Sequence, residues 1–184
     1  MPLAAETRTV VARPPAAAEC FDISHISGTL AVASLVRTLT GSRTGAVLAA
    51  SLFAMNPDVL YLQSTPMTEP LLFALSSLVV LHLTQWAISN DVAIRRSVGW
   101  TIVLACLTRY EAWPIVGAAM GLAAIVKWRN GTAFTAVLAE MARLSAYPIG
   151  TVLFFMGMSY ASTGQWFVTG GFYVPDPKLQ GQAH

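Results

Sequence analysis

Charge is scarce in this chain: Asp, Glu, Lys and Arg together make up 11% of its 184 residues, where a soluble domain carries about 25%. A compact globule of this size would lack the polar surface that water demands, which excludes a conventional soluble enzyme. Net charge is scarce as well. Eleven Lys and Arg against nine Asp and Glu leave a formal +2 beside 55% hydrophobic residues. Disordered chains combine low hydrophobicity with high net charge, the opposite balance. No cluster of basic residues interleaved with aromatics is present, so nucleic acid is not an expected partner. The two cysteines, Cys20 and Cys106, have no CxxC spacing, and the three histidines, His25, His82 and His184, are scattered. Neither a disulfide framework nor a zinc site follows from them. What remains is apolar sequence, with a mean hydropathy of +0.58, and the lipid bilayer is its expected surroundings.

A helix needs roughly 20 predominantly apolar residues to cross the hydrocarbon of a bilayer. Three runs approach that standard: Leu71 to Ile88, Trp113 to Val126 and Leu144 to Tyr160. The second ends in Lys127, Trp128 and Arg129, a cluster expected at headgroup level. Three weaker runs follow the same pattern. Thr44 to Leu62 is interrupted by Asn56, Pro57 and Asp58, which predicts a helix that breaks or bends there. Ile26 to Leu39 and Ser97 to Leu107 are shorter than a full span. The expected fold is therefore all-α, a polytopic transmembrane bundle of about six apolar segments over residues 26–164. Residues 1–25 have no apolar h-region and so form no secretory signal peptide; with their Pro-Pro-Ala-Ala-Ala run they read as an unstructured leader. Residues 165–184 read as the start of an external loop.

Cytoplasmic loops retain Lys and Arg. Joining the segments alternately places Arg37, Arg43, Arg95, Arg96, Lys127, Arg129 and Arg143 on one side, seven of the eleven cations, against Arg109 and Lys178 on the other. The first side is the expected cytoplasmic one. Asp58, Glu69, Glu111 and Asp176 then fall outside, so the outer face is acidic. Two outer segments concentrate polar groups. In the first, from Asn56 to Pro70, Thr65 or Thr68 is placed to cap the following helix, Pro70 suits its first turn, and Glu69 stands at its positive end. Complementing the helix dipole is one reading of Glu69, and chemistry is the other. In the second, Thr108-Arg109-Tyr110-Glu111-Ala112-Trp113-Pro114, the arginine offers a planar fork suited to phosphate. On a helix Arg109 and Glu111 would point to different sides. An interfacial aromatic belt with one snorkelling arginine is the competing reading.

The run Asn56-Pro57-Asp58-Val59-Leu60-Tyr61-Leu62-Gln63-Ser64-Thr65-Pro66-Met67-Thr68-Glu69-Pro70-Leu71, with Leu107-Thr108-Arg109-Tyr110-Glu111-Ala112-Trp113, resembles bacterial members of the GT-C membrane glycosyltransferases. Within them it is similar to the group of protein O-mannosyltransferases and lipid A aminoarabinose transferases. The Arg37–Arg43 turn and the segment from Gly170 to Pro177 match that pattern too, so the resemblance covers roughly residues 26–178. It implies a multi-pass protein of the bacterial cytoplasmic membrane that transfers a sugar from a polyprenyl-phosphate donor to a periplasmic acceptor. On this resemblance Glu69 is the catalytic carboxylate that removes the acceptor's proton, and Arg109, Glu111, Asp58, Tyr61 and Trp113 are substrate-binding residues, the guanidinium facing the lipid phosphate. The family's principal catalytic acid lies in a loop between its first two spans. Glu19 and Asp22 hold that order along the chain without the surrounding motif, so the expectation is an incomplete member. Four dispersed acids without histidine partners define no metal site, and nothing in the pattern names a cofactor.

The competing expectations are a small multispan transporter or scaffold without chemistry, or a gene fragment without function. Transporters set ionisable residues at the midplane between repeated broken helices, whereas here each acid outside the tail stands at the end of a segment and no internal repeat is visible.

Overall fold

A computed structural model of the chain describes residues 15–64, 68–89, 92–164 and 166. They form seven α-helices and, among the described residues, no strand: α1 Pro15–Thr40, α2 Arg43–Ala54, α3 Pro57–Ser64, α4 Glu69–Ile88, α5 Val92–Thr108, α6 Ala112–Arg129 and α7 Phe134–Thr163. The all-helical expectation holds. Two of the helices, α4 and α7, are long and apolar enough to cross a membrane by length and composition, and α2 and Arg96–Thr108 within α5 are apolar but shorter. The chain divides into two compact units, residues 1–78 and 79–184, with the boundary inside α4.

In the first unit α1 and α2 pack as a hairpin. The chain reverses at Gly41, whose φ of +68° lies in the left-handed region that glycine enters without a Cβ penalty. Its N–H donates to the Arg37 carbonyl at 2.9 Å, and the Ser42 hydroxyl accepts from the Gly45 N–H at 3.0 Å, capping α2. Gly28 allows α1 a close approach, because a Cβ there would stand 3.3 Å from the Phe53 ring and 3.4 Å from the Ala74 backbone. The break expected at Asn56-Pro57-Asp58 is present. The Asn56 side-chain oxygen accepts the Asp58 N–H at 2.9 Å and its carbonyl accepts the Leu60 N–H at 3.0 Å. Pro57 takes the first position of α3, where its missing N–H leaves no bond unmade.

In the second unit α7 packs on α5 and α6. Val98, Ile102 and Ala105 of α5, Val116, Met120 and Ala123 of α6, and Val137 and Leu144 of α7 are buried at helical spacing. Val79, Leu81, Leu83, Trp86 and Ala87 are the buried residues of α4 in this unit. Pro148 lies inside α7 and removes one rung of its hydrogen-bond ladder.

Three expectations need correction. The leader assigned to residues 1–25 is helical from Pro15; Pro15 is suited to a first helical position, and Ala16, Ala17, Ala18 and Glu19 are strong helix formers. Residues 1–14 lie outside the described residues, as does the loop expected at 165–184 apart from Trp166. The last segment starts at Phe134 rather than Leu144, since a helix does not stop where a charge such as Glu140 or Arg143 appears. Lys127, expected at headgroup level, is only 2% exposed.

Candidate functional site

Each unit holds part of the predicted set. In the first, Glu69 opens α4 and is half-buried, with the Leu72 N–H donating to the Thr68 carbonyl at 3.0 Å in the same turn. The α4 N-terminus supplies the partial positive charge that favours a carboxylate there. Thr65 lies outside the described residues. Asp58 and Tyr61 stand one turn apart on α3, and both are exposed, Tyr61 at 69%. Asp58 also sits in a first turn, so two of the four carboxylates expected on the outer side occupy helix starts.

In the second unit the chain leaves α5 after Thr108, whose hydroxyl donates to the Leu104 carbonyl at 2.8 Å, and re-enters a helix at Ala112. The Ala112 and Trp113 N–H groups donate to the carbonyls of Arg109 and Tyr110 at 3.1 and 3.0 Å, which tightens the turn. Here the sequence reading is corrected. Arg109 and Glu111 do pair, Nε to Oε2 at 2.9 Å and Nη2 to Oε1 at 3.1 Å. The two-residue spacing separates side chains only on a helix, and this segment is a turn. Two parallel contacts fix the plane of the guanidinium as well as its position. Both side chains remain open to solvent, at 27% and 45%.

Trp113 is half-buried behind that turn. Its indole N–H donates to the Cys106 carbonyl at 3.1 Å, and its ring meets Phe155 edge to face at 6.0 Å. It also borders a cavity of about 300 Å³ between α5, α6 and α7, lined by apolar groups including Cys106, Val116, Met120, Pro148 and Val152. Pro148, which lacks the N–H that would continue the ladder, forms one wall of it. Trp113, four residues after Arg109, is the lining residue nearest to that turn in sequence.

Sequence reasoning missed the most enclosed ionic group among the described residues. Lys127 Nζ lies 2.8 Å from Glu140 Oε2, 3.4 Å from the Trp86 carbonyl oxygen and 4.3 Å from the centre of the Trp86 ring. The available signal was a base and an acid on either side of the short Asn130-Gly131-Thr132-Ala133 link, which brings α6 and α7 back to back. His82 and Thr101 were missed too, with Nδ1 and Oγ1 2.9 Å apart between α4 and α5. Among the described residues no three His, Cys, Asp or Glu side chains converge in a way that would hold a metal ion. Comparison with protein-family models, with curated proteins and with solved structures returns no match to this chain.

Proposed function

We propose that this chain is a multi-pass protein of the bacterial cytoplasmic membrane, of the GT-C glycosyltransferase type, acting on a sugar carried by polyprenyl phosphate. The observation that carries the reading is the Arg109 turn with the cavity behind it. A lipid phosphate is an anion on a long apolar chain, and this segment offers a guanidinium held flat by Glu111 and, four residues on, Trp113 at the edge of an apolar slot. Six apolar segments with the basic residues on the cytoplasmic side would set the turn at the outer face.

Arg109 serves the donor by neutralising the phosphate as it departs. The acceptor's hydroxyl proton passes to a carboxylate, the role the family resemblance gives to Glu69, while the oxygen attacks the anomeric carbon. One carbon–oxygen bond forms to the acceptor, the bond to the phosphate oxygen breaks, and polyprenyl phosphate leaves with the electron pair. Asp58 and Tyr61, exposed on the short α3, are suited to hydrogen bonds with a polar acceptor.

The test is release of polyprenyl phosphate from polyprenyl-phosphate mannose by the full chain in membranes, compared with Glu69→Gln and Arg109→Ala. Removing a general base lowers such rates about 10²–10⁴-fold, and losses of that order are expected for Glu69→Gln, with a comparable loss for Arg109→Ala. Unchanged release by both variants would remove the assigned roles.

A further inference from the structure

The N-terminal half of α1 carries polar groups that the proposed reaction does not use. His25 Nε2 and Thr29 Oγ1 are both enclosed and both lack a hydrogen-bond partner. They are one helical turn apart, and side chains at that spacing lie on one face. The face is turned inward. Gly28, between them in sequence, approaches Phe53 and the Ala74 backbone, and Ser24 and Ala31 are buried to 4% and 1% exposure. The His25 ring is stacked on Phe53 at 6.3 Å and 25°, which fixes the plane in which Nε2 points.

Thr29 departs from the habit of this chain. Thr38, Thr40, Thr84, Thr101, Thr108 and Thr151 all donate their hydroxyls to the carbonyl four residues earlier, the usual way for a helical threonine to satisfy itself in apolar surroundings. The carbonyl four residues before Thr29 is that of His25, and Thr29 does not use it. Its hydroxyl and the imidazole nitrogen one turn away are both unmet. Buried polar groups are nearly always hydrogen-bonded, and each exception needs a cause.

We propose that His25 and Thr29 form a subsite for a hydroxyl of a carbohydrate. Hydroxyl and imidazole each present both donor and acceptor capacity. A sugar hydroxyl donates and accepts at once and meets both, whereas a carboxylate only accepts and an ammonium only donates. The assignment to carbohydrate rests on the glycosyltransferase reading above.

The experiment uses the full chain in lipid nanodiscs with ¹⁵N-labelled histidine, the His25 resonances being assigned by comparison with His25→Gln. The probes are methyl mannoside, octyl mannoside and a hydroxyl-free octyl sulfobetaine. A saturable shift of the His25 ring nitrogens with a mannoside and not with the sulfobetaine is expected. Thr29→Val should weaken it about tenfold and Thr29→Ser should restore it. A response to octyl mannoside alone assigns the subsite to a glycolipid headgroup, and a response to both assigns it to a free sugar. No saturable shift, an equal shift with the sulfobetaine, or full binding by Thr29→Val overturns the proposal. Because binding is read without turnover, a saturable shift in a chain that releases no polyprenyl phosphate would retain the subsite and discard the transferase reading. Turnover without the shift would do the reverse.

Discussion

Lys127 carries a charge into a space closed by Glu140, the Trp86 ring and the Trp86 carbonyl. The attraction between the partners offsets the loss of water around each, and removing one partner leaves the other stranded. Lys127→Met or Glu140→Gln is therefore expected to destabilise the second unit by about 3–5 kcal/mol, whereas the double change Lys127→Met with Glu140→Leu should recover most of that loss. Thermal unfolding of the purified chain in detergent checks both, and an additive double mutant would contradict the pairing. A base and an acid flanking a short link did not single this pair out, because a lysine after an apolar run also suits a headgroup and only the meeting of α6 with α7 brings Glu140 to it. The Arg109–Glu111 pair was illegible for a different reason. Spacing rules apply to side chains on a known element, and this pair stands in a turn between two helices.

The ends of elements follow the same division. Asn56-Pro57-Asp58 was readable as a break because each residue acts locally: Asn56 accepts the Asp58 N–H, Pro57 cannot donate, and α3 starts there. Asn56→Ala should cost about 0.5–2 kcal/mol and speed amide exchange at Asp58 and Leu60 first; protection unchanged at these two amides would deny the cap. The starts of α1 and α7 were not readable by the same means. An apolar run that stops at a charge or a proline misses both, because α7 keeps Glu140 and Arg143 inside its length and α1 begins in a Pro- and Ala-rich stretch. Packing between elements was also hidden. The Tyr147 ring lies flat against Gly99, so that a methyl group there would overlap it. Gly99→Ala is expected to lower stability by about 1–3 kcal/mol through overpacking between α5 and α7, and adding Tyr147→Ala should relieve the clash although it removes its own contacts. Equal melting of Gly99→Ala and the parent chain would contradict that contact.

At the scale of the whole molecule, scarcity of charge was the most legible property, because twenty charged residues in 184 can be sorted by position. Under the proposed alternate crossing, that sorting gives a side to each link between helices. In a Cys20→Ser background, Tyr110→Cys should react with a membrane-impermeant maleimide applied to the periplasmic side, and Arg129→Cys only after permeabilisation; both positions are exposed. The opposite pattern would reverse the proposed orientation and move Arg109 and Glu69 to the cytoplasm. The proposed function itself depends on whether the Arg109 turn and the slot behind Trp113 act together on one lipid. The most direct test is equilibrium binding of polyprenyl monophosphate and of the matching polyprenol, which lacks only the phosphate, to the full chain in nanodiscs. A charged hydrogen-bonded contact contributes about 1.5–3 kcal/mol, so the phosphate should bind roughly 10- to 100-fold more tightly, and Arg109→Ala should abolish that preference while leaving polyprenol binding intact. Equal binding of the two lipids, or a preference that survives Arg109→Ala, would contradict the account.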